Sequence, residues 1–428
     1  MRDEPCWRHL LGSLDVEVLG PELAEPPADA GALVESTLRA SGLGRFLRDA
    51  AARGSPVTVV VNDPQRHTET RAAIDGLMAL GGGGERPFRL LVATGSHTFA
   101  PEERRAHEES VLGPWRARFA EIAWHDARAA PDLATAGPHR FHRFVAKGEF
   151  VVGLGSLEPH YFAGCTGAHK TVTIGVMSFE DIEANHRGAL AAEAAPMAFV
   201  GNPVFEGIAS ALGHLGSAGV RLFCLNEIRA RGRLVACTAG PPLAALQEGL
   251  PLVRRLFAPT LKAPADLIVA RVEAPLDRTF YQADKGIKNV EAAVADGGVI
   301  VLEAGCQGGV GPDRFVRLLE RSGSEAEAQR IIAREGYALG DHKALRLRRL
   351  TGGRAVRIGI VSESLPEEAA RSAHAVRFDT RSAAASWALE SLRRAGSAPR
   401  HRRRKGLIVE DAGSMALSVT ARERVTPT

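Results

Sequence analysis

Apolar and polar positions alternate along this chain in blocks of two kinds. Residues 57–61 (Val-Thr-Val-Val-Val) are short and β-branched, bounded by Gly54 and Pro56 on one side and by Asn62, Asp63 and Pro64 on the other. Such a run reads as a buried strand of a parallel sheet opening into a loop. A helical stretch is predicted over 68–80, closed by the glycines at 81–84. The next strand covers 88–93 and ends in Thr94-Gly95-Ser96-His97, and further strands are expected at 150–155 and 220–225. Earlier in the chain, 31–52 also reads as helical. Strands alternating with helices imply a mostly parallel sheet covered on both faces. Ligands of such sheets bind beyond the carboxyl ends of the strands. Asp63, Arg66, His97 and His160 each follow a predicted strand, so they are expected along one edge of the sheet.

Near residue 260 the punctuation changes, with Pro259 and Pro264 flanking a short link. Strands are then expected at 266–270, 298–304 and 356–361, with a helix starting near 280–286. The length of 428 residues favours more than one domain. The predicted architecture is α/β with two domains and an active site in the cleft between them. The larger N-terminal domain covers 1–263 and the smaller C-terminal α/β domain covers 264–392. The tail, 393–428, is expected to pack back on the first domain.

Composition changes this picture little. Hydrophobic residues make up 45% and charged residues 24% of the chain, and the formal charge is +4, as in ordinary globular proteins. Much of the positive excess lies at 393–405, where no aromatic residues interleave for base stacking, so nucleic acid is not expected as a partner. No basic segment followed by an apolar core opens the chain, and no apolar run approaches the roughly 20 residues of a membrane helix. A cytoplasmic protein without membrane partners is expected. Cys6, Cys165, Cys224, Cys237 and Cys306 form no CxxC pair, which argues against a disulfide framework and a thiolate zinc site.

The densest chemistry lies at Glu158-Pro159-His160-Tyr161-Phe162-Ala163-Gly164-Cys165-Thr166-Gly167-Ala168-His169-Lys170, with His186 following. Small residues at 163, 164, 167 and 168 let a backbone approach a ligand closely. The run does not match the phosphate-cradling pattern GxxxxGK[ST]. Lysines can also bond covalently to a carbonyl-bearing cofactor. His97 and His160 could act as paired acid and base on opposite sides of a substrate. His186 could bind a metal, but one nitrogen cannot hold a transition metal alone. Gln282 and Lys285, three residues apart at a helix start, suit an anionic group. The glycines at 305, 308, 309 and 311 match no dinucleotide fingerprint.

Taken in order, these motifs resemble the nickel-dependent lactate racemase family. Asp63-Pro64-Gln65-Arg66 is similar to that family's Asp-x-Thr-Arg, and Thr94-Gly95-Ser96-His97 to its Thr-Gly-x-His. The run from Pro159 to Lys170 is similar to its Pro-His, Ala-Gly and Ser-Gly-Gly-x-Lys elements, His186 falls at the family spacing, and Gln282 to Lys285 resembles its Gln-x-x-Lys. The resemblance implies a nickel pincer nucleotide, the Ni(II) complex of pyridinium-3-thioamide-5-thiocarboxylic acid mononucleotide, tethered to Lys170 and ligated by His186. Asp63, Arg66, Thr166 and Gly167 would support the cofactor, with His97 and His160 as the acid/base pair. Gln282 and Lys285 would hold the carboxylate of a 2-hydroxy acid. Racemisation or epimerisation by reversible proton-coupled hydride transfer, through a 2-oxo acid, is the implied reaction. Enzymes of cofactor synthesis are implied partners. Gln65, Glu69, Thr98 and Ala168 depart from the family's usual threonine, proline, arginine and glycine, so lactate is one candidate substrate among several. Two other readings stand beside this one: a pincer-independent hydroxy-acid hydrolase or dehydratase, and a non-catalytic cofactor-binding protein.

Overall fold

The computed structural model describes residues 5–21, 29–66, 68–81, 88–395 and 403–420. The chain forms two compact units, one of Leu23–Arg254 and one of Met1–Glu22 with Arg255–Thr428.

The Leu23–Arg254 unit is built on a six-stranded sheet. Its strands are β1 (Val57–Asn62), β2 (Phe88–Ala93), β3 (Phe119–Trp124), β4 (Phe150–Ser156), β5 (Arg221–Ala230) and β6 (Arg233–Gly240). They lie in the order β6-β5-β4-β1-β2-β3. Every pairing is parallel except the β5–β6 hairpin. Val57, Val59 and Val61 on β1 pack with Leu90, Val92, Phe150, Val152 and Leu154 into one core. Val60, Leu91 and Val151, which point to the other face, are equally enclosed. Both faces are therefore dry, which explains why these strands read as continuous apolar runs rather than alternating ones. Each buried valine contributes about 1.5–3 kcal/mol relative to leaving it in water. The helix expected at 68–80 is α1 (Thr70–Gly81). The glycines at 82–84, expected to close it, lie outside the described residues. The stretch 31–52 forms two helices, Ala30–Ala40 and Leu43–Ala52, broken at Ser41 and Gly42.

The other unit carries its own six-stranded sheet. Its strands are Asp15–Leu19, Lys405–Val409, Ala265–Arg271, Val294–Glu303, Arg357–Val361 and Ala375–Phe378, side by side in that order and all parallel. This corrects the expectation for the tail. Lys405–Val409 does not return to the sheet of the first unit but pairs with Asp15–Leu19 on one side and Ala265–Arg271 on the other. Leu407, Ile408 and Val409 are buried there against Leu267, Ile268 and Val269, so the apolar run is satisfied on both sides within this second sheet. Asp15–Leu19 likewise belongs to this second sheet, not to the first.

No helix among the described residues is long and apolar enough to cross a membrane. All five cysteines are free.

Candidate active site

The carboxyl ends of β1, β2 and β4 bring the predicted residues of the first unit to one edge. Asp63 leaves β1 and is 5% exposed. Its Oδ1 accepts from the Gln65 N–H at 2.9 Å, which fixes the turn, and its Oδ2 lies 3.0 Å from His97 Nδ1. His97 is itself held by a turn in which its N–H donates to the Thr94 carbonyl. A carboxylate that accepts from Nδ1–H orients the ring and leaves Nε2 as the basic nitrogen. Arg66 extends from the same loop to Glu158, with guanidinium and carboxylate 3.0 Å apart. The β1 loop and the β4 loop are thus tied together by a charged pair.

The β4 loop doubles back immediately. Pro159–His160 pairs antiparallel with Gly164–Cys165, so His160 faces the segment that carries Lys170. His160 Nδ1 accepts from the Ala163 N–H at 3.3 Å, and its Nε2 lies 3.3 Å from Lys170 Nζ. Thr166 uses its hydroxyl to fasten the loop, donating to the Ser156 carbonyl at 2.7 Å and accepting from the Glu158 N–H.

Lys170 lies on α2 (Ala168–Thr171), and this short helix rests directly on β4. Glycines at 153 and 155 permit the approach. A Cβ on Gly155 would meet the Ala168 nitrogen at 2.4 Å, and one on Gly153 would meet Val172 at the same distance. Asn226 of β5 and Asn62 of β1 complete the seat, accepting from the Ala168 N–H at 2.8 Å and the Thr171 hydroxyl at 3.1 Å. Gly167, at φ +149°, turns the chain into the helix.

His186 lies near the end of α3 (Phe179–Arg187), whose start is capped by Ser178 accepting from the Asp181 N–H. The ring of Phe162 links it to the others. Its centroid is 5.0 Å from the His186 ring, 4.4 Å from the His160 ring and 5.4 Å from Lys170 Nζ. Burial, assisted by the positive charge of Lys170, pushes the His186 imidazole down to about 3. It is therefore neutral at physiological pH, the form that ligates metals.

Gln282 and Lys285 belong to the other unit, on α4 (Phe280–Val290), whose first turn is capped by Thr279 accepting from the Gln282 N–H. Lys285 is 4% exposed, and its helix also buries Asp284 and Lys288.

Several residues that shape this edge were given no role in the sequence reading: Glu158, Asn62, Asn226 and His169. His169 is fully buried, with neither ring nitrogen hydrogen-bonded, and burial drives it down to about 3. Asn62 stood in plain sight at a strand end. Asn226 gave no signal, because it follows the apolar run 222–225 inside a strand and matches no motif.

Comparison with known proteins gives two family matches along the chain. Residues 9–198 match the lactate racemase N-terminal domain and residues 261–338 the lactate racemase C-terminal domain. The chain belongs to the lactate racemase family. It is an enzyme of the isomerase class, a racemase by family. The lactate racemase of Thermoanaerobacterium thermosaccharolyticum is 26% identical over 311 residues, 68% of this chain and 69% of that protein. The lactate racemase of Lactiplantibacillus plantarum is 29% identical over 237 residues, 53% of this chain and 54% of its own length. The apoprotein structure of the Thermoanaerobacterium thermosaccharolyticum lactate racemase superimposes with a TM-score of 0.78 at 22% identity, covering 91% of this chain and 93% of that one. A Thermotoga maritima protein shares the fold at a TM-score of 0.68 and 16% identity, over 93% of this chain and 100% of its own. As a lactate racemase family member, the chain has its Asp63-to-His186 residues inside the first matched region and Gln282 and Lys285 inside the second.

Proposed function

We propose that this protein racemises or epimerises a 2-hydroxy acid using a nickel pincer nucleotide attached to Lys170. The observation that carries the reading is the arrangement around Phe162, where Lys170, His160 and His186 meet one aromatic ring.

The donor set fits the cofactor. Among the described residues no three His, Cys, Asp or Glu side chains gather into a metal-binding group, so His186 would serve as a single protein ligand to a metal carried by an organic group. Its neutral imidazole suits that role. Lys170, on a helix seated against glycines, would provide the covalent attachment, with the β4 loop closing around it. When bound, the cofactor would supply a hydride acceptor and donor for the C2 carbon of the substrate.

The remaining chemistry belongs to this chain. His97, oriented by Asp63, presents Nε2 to take or return the hydroxyl proton of one enantiomer. His160 does the same for the other. Positive charge from Arg66 is balanced by Glu158, so that pair sets the spacing of the two loops. The substrate carboxylate is assigned to Gln282 and Lys285.

Intact-mass measurement of protein produced together with cofactor-synthesis enzymes tests the reading. A covalent adduct present in the parent and lost in Lys170→Ala is expected, with loss of optical purity for at least one member of a 2-hydroxy acid panel. An unmodified mass in the parent would refute the attachment. An adduct without racemisation of any member would refute the activity.

A further inference from the structure

Glu227 is an acidic residue in the interior of β5, 1% exposed. A carboxylate there is costly unless it is held by charge or hydrogen bonds. Its Oε2 accepts from the Glu69 N–H at 2.7 Å. Arg229, two residues along the strand, places a guanidinium nitrogen 3.8 Å from the same oxygen and 2.6 Å from Glu69 Oε1. Glu69 stands at the start of α1, where its carbonyl accepts the Ala73 N–H. A proline at this point would have no N–H to offer. Here the N–H is present, and a buried acid receives it.

The backbone of Glu227 makes a second connection. Its carbonyl accepts from the Leu157 N–H at 2.7 Å, where the chain leaves β4. Leu157 precedes Glu158, which pairs with Arg66. A closed circuit results, running from Glu227 to Glu69, back along the β1 loop to Arg66, across to Glu158 and Leu157, and home to Glu227. Asp63, which orients His97, begins the first of these loops, and His160 lies on the second.

We propose that Glu227 is a positioning residue for the active site: its carboxylate fixes the loop bearing Asp63 and Arg66, its carbonyl fixes the loop bearing His160, and protonation loosens the first attachment alone. This rests on the proposed function only for its catalytic consequence. The charged and titratable groups facing the carboxylate are Glu69 from the segment before α1, Arg229 on β5 and Cys237 on β6. From β4 it meets Ser156, its register partner, and Leu157, neither of which titrates. Burial raises the acid to about 7, against the opposing pull of the Glu69 N–H and Arg229. The ionised and neutral forms are therefore both populated near neutrality.

Amide hydrogen exchange of the cofactor-free protein, corrected for intrinsic rates, tests this at pH 6 and pH 8. In the parent, the Glu69 amide is expected to be several-fold better protected at pH 8, with the Leu157 amide unchanged. Glu227→Gln keeps the shape and an acceptor but cannot ionise, so its Glu69 protection should be the same at both pH values. Glu227→Leu should speed Glu69 exchange about tenfold or more. Persistence of the parental pH dependence in Glu227→Gln, or unaltered Glu69 protection in Glu227→Leu, would overturn the proposal. In cofactor-loaded protein, the pH–rate profile of Glu227→Gln should lose a limb near pH 7 that the parent shows. Absence of activity from the parent as well would count against the proposed function, and the exchange data would still decide the role of Glu227.

Discussion

Lys170 Nζ lies 3.3 Å from His160 Nε2, although ten residues separate them. The contact exists because the β4 loop folds into a hairpin at Pro159–His160 and Gly164–Cys165. It joins the proposed attachment point to one of the proposed proton carriers. The two roles can be separated: His160→Asn is expected to lower racemisation by about 10²- to 10⁴-fold, the usual contribution of a positioned acid or base. The Lys170 adduct should persist in the same preparation by intact mass. Loss of the adduct along with the activity would make His160 part of the attachment instead.

Asp63 acts at one remove, through Nδ1 of His97. Asp63→Asn keeps the size but offers an amide that can present either a donor or an acceptor to the ring, so the tautomer with a basic Nε2 is no longer enforced. We expect kcat to fall by about 10²-fold or more with a smaller change in KM, measured by polarimetry in both directions. An equal loss in a His97→Ala background would show that the two residues do not act as a unit.

The seat of α2 predicts a structural effect. Gly155→Ala places a methyl group 2.4 Å from the Ala168 nitrogen, where backbone and not a movable side chain stands in the way. Destabilisation of about 1–3 kcal/mol is expected, read as a lower midpoint in urea. An unchanged midpoint would mean that α2 does not lie against β4 as described.

Two histidines outside the site set a pH dependence. His125 and His142 are buried with ring centroids 6.0 Å apart, and burial pushes each down to about 4, with each ring's charge opposing the other's in the case of His142. Unfolded, each titrates near 6.5. Their contribution to stability is thus complete above pH 6.5 and is lost as pH falls from 6.5 toward 4, at up to about 1.4 kcal/mol per pH unit for each. Glu227 works in the opposite direction over an overlapping range, because its pKa is raised on folding. The difference between the parent and His142→Phe isolates the histidine: urea midpoints at pH 7, 6 and 5 should fall less steeply in the variant.

Much of this site could be read before the fold was known, for a local reason. Asp63, His97 and His160 each terminate an apolar run, and in a parallel sheet the end of a run and the edge of the sheet are the same place. The partnerships were less accessible. Glu158 answers Arg66 from 92 residues away, and Glu227 answers Glu69 from 158 residues away, separations at which no spacing rule operates. The β5–β6 hairpin was also missed. Its turn, Arg231-Gly232, takes positive φ at both residues, and arginine is not a residue that announces such a turn. The edge strand β3 is buried only at Phe119, its first residue, so it lacks the continuous burial that marked its neighbours. The tail went to the wrong sheet because a run such as Gly406-Leu407-Ile408-Val409 states that it wants burial without stating where.

That last strand has a consequence for biosynthesis. Lys405–Val409 occupies an interior position of its sheet, between Asp15–Leu19 and Ala265–Arg271. Among the described residues, Asp15–Leu19 therefore has no neighbour in its sheet until Lys405–Val409 has been made. The Leu23–Arg254 unit, contiguous in sequence, can fold on the ribosome while its flanking segments wait.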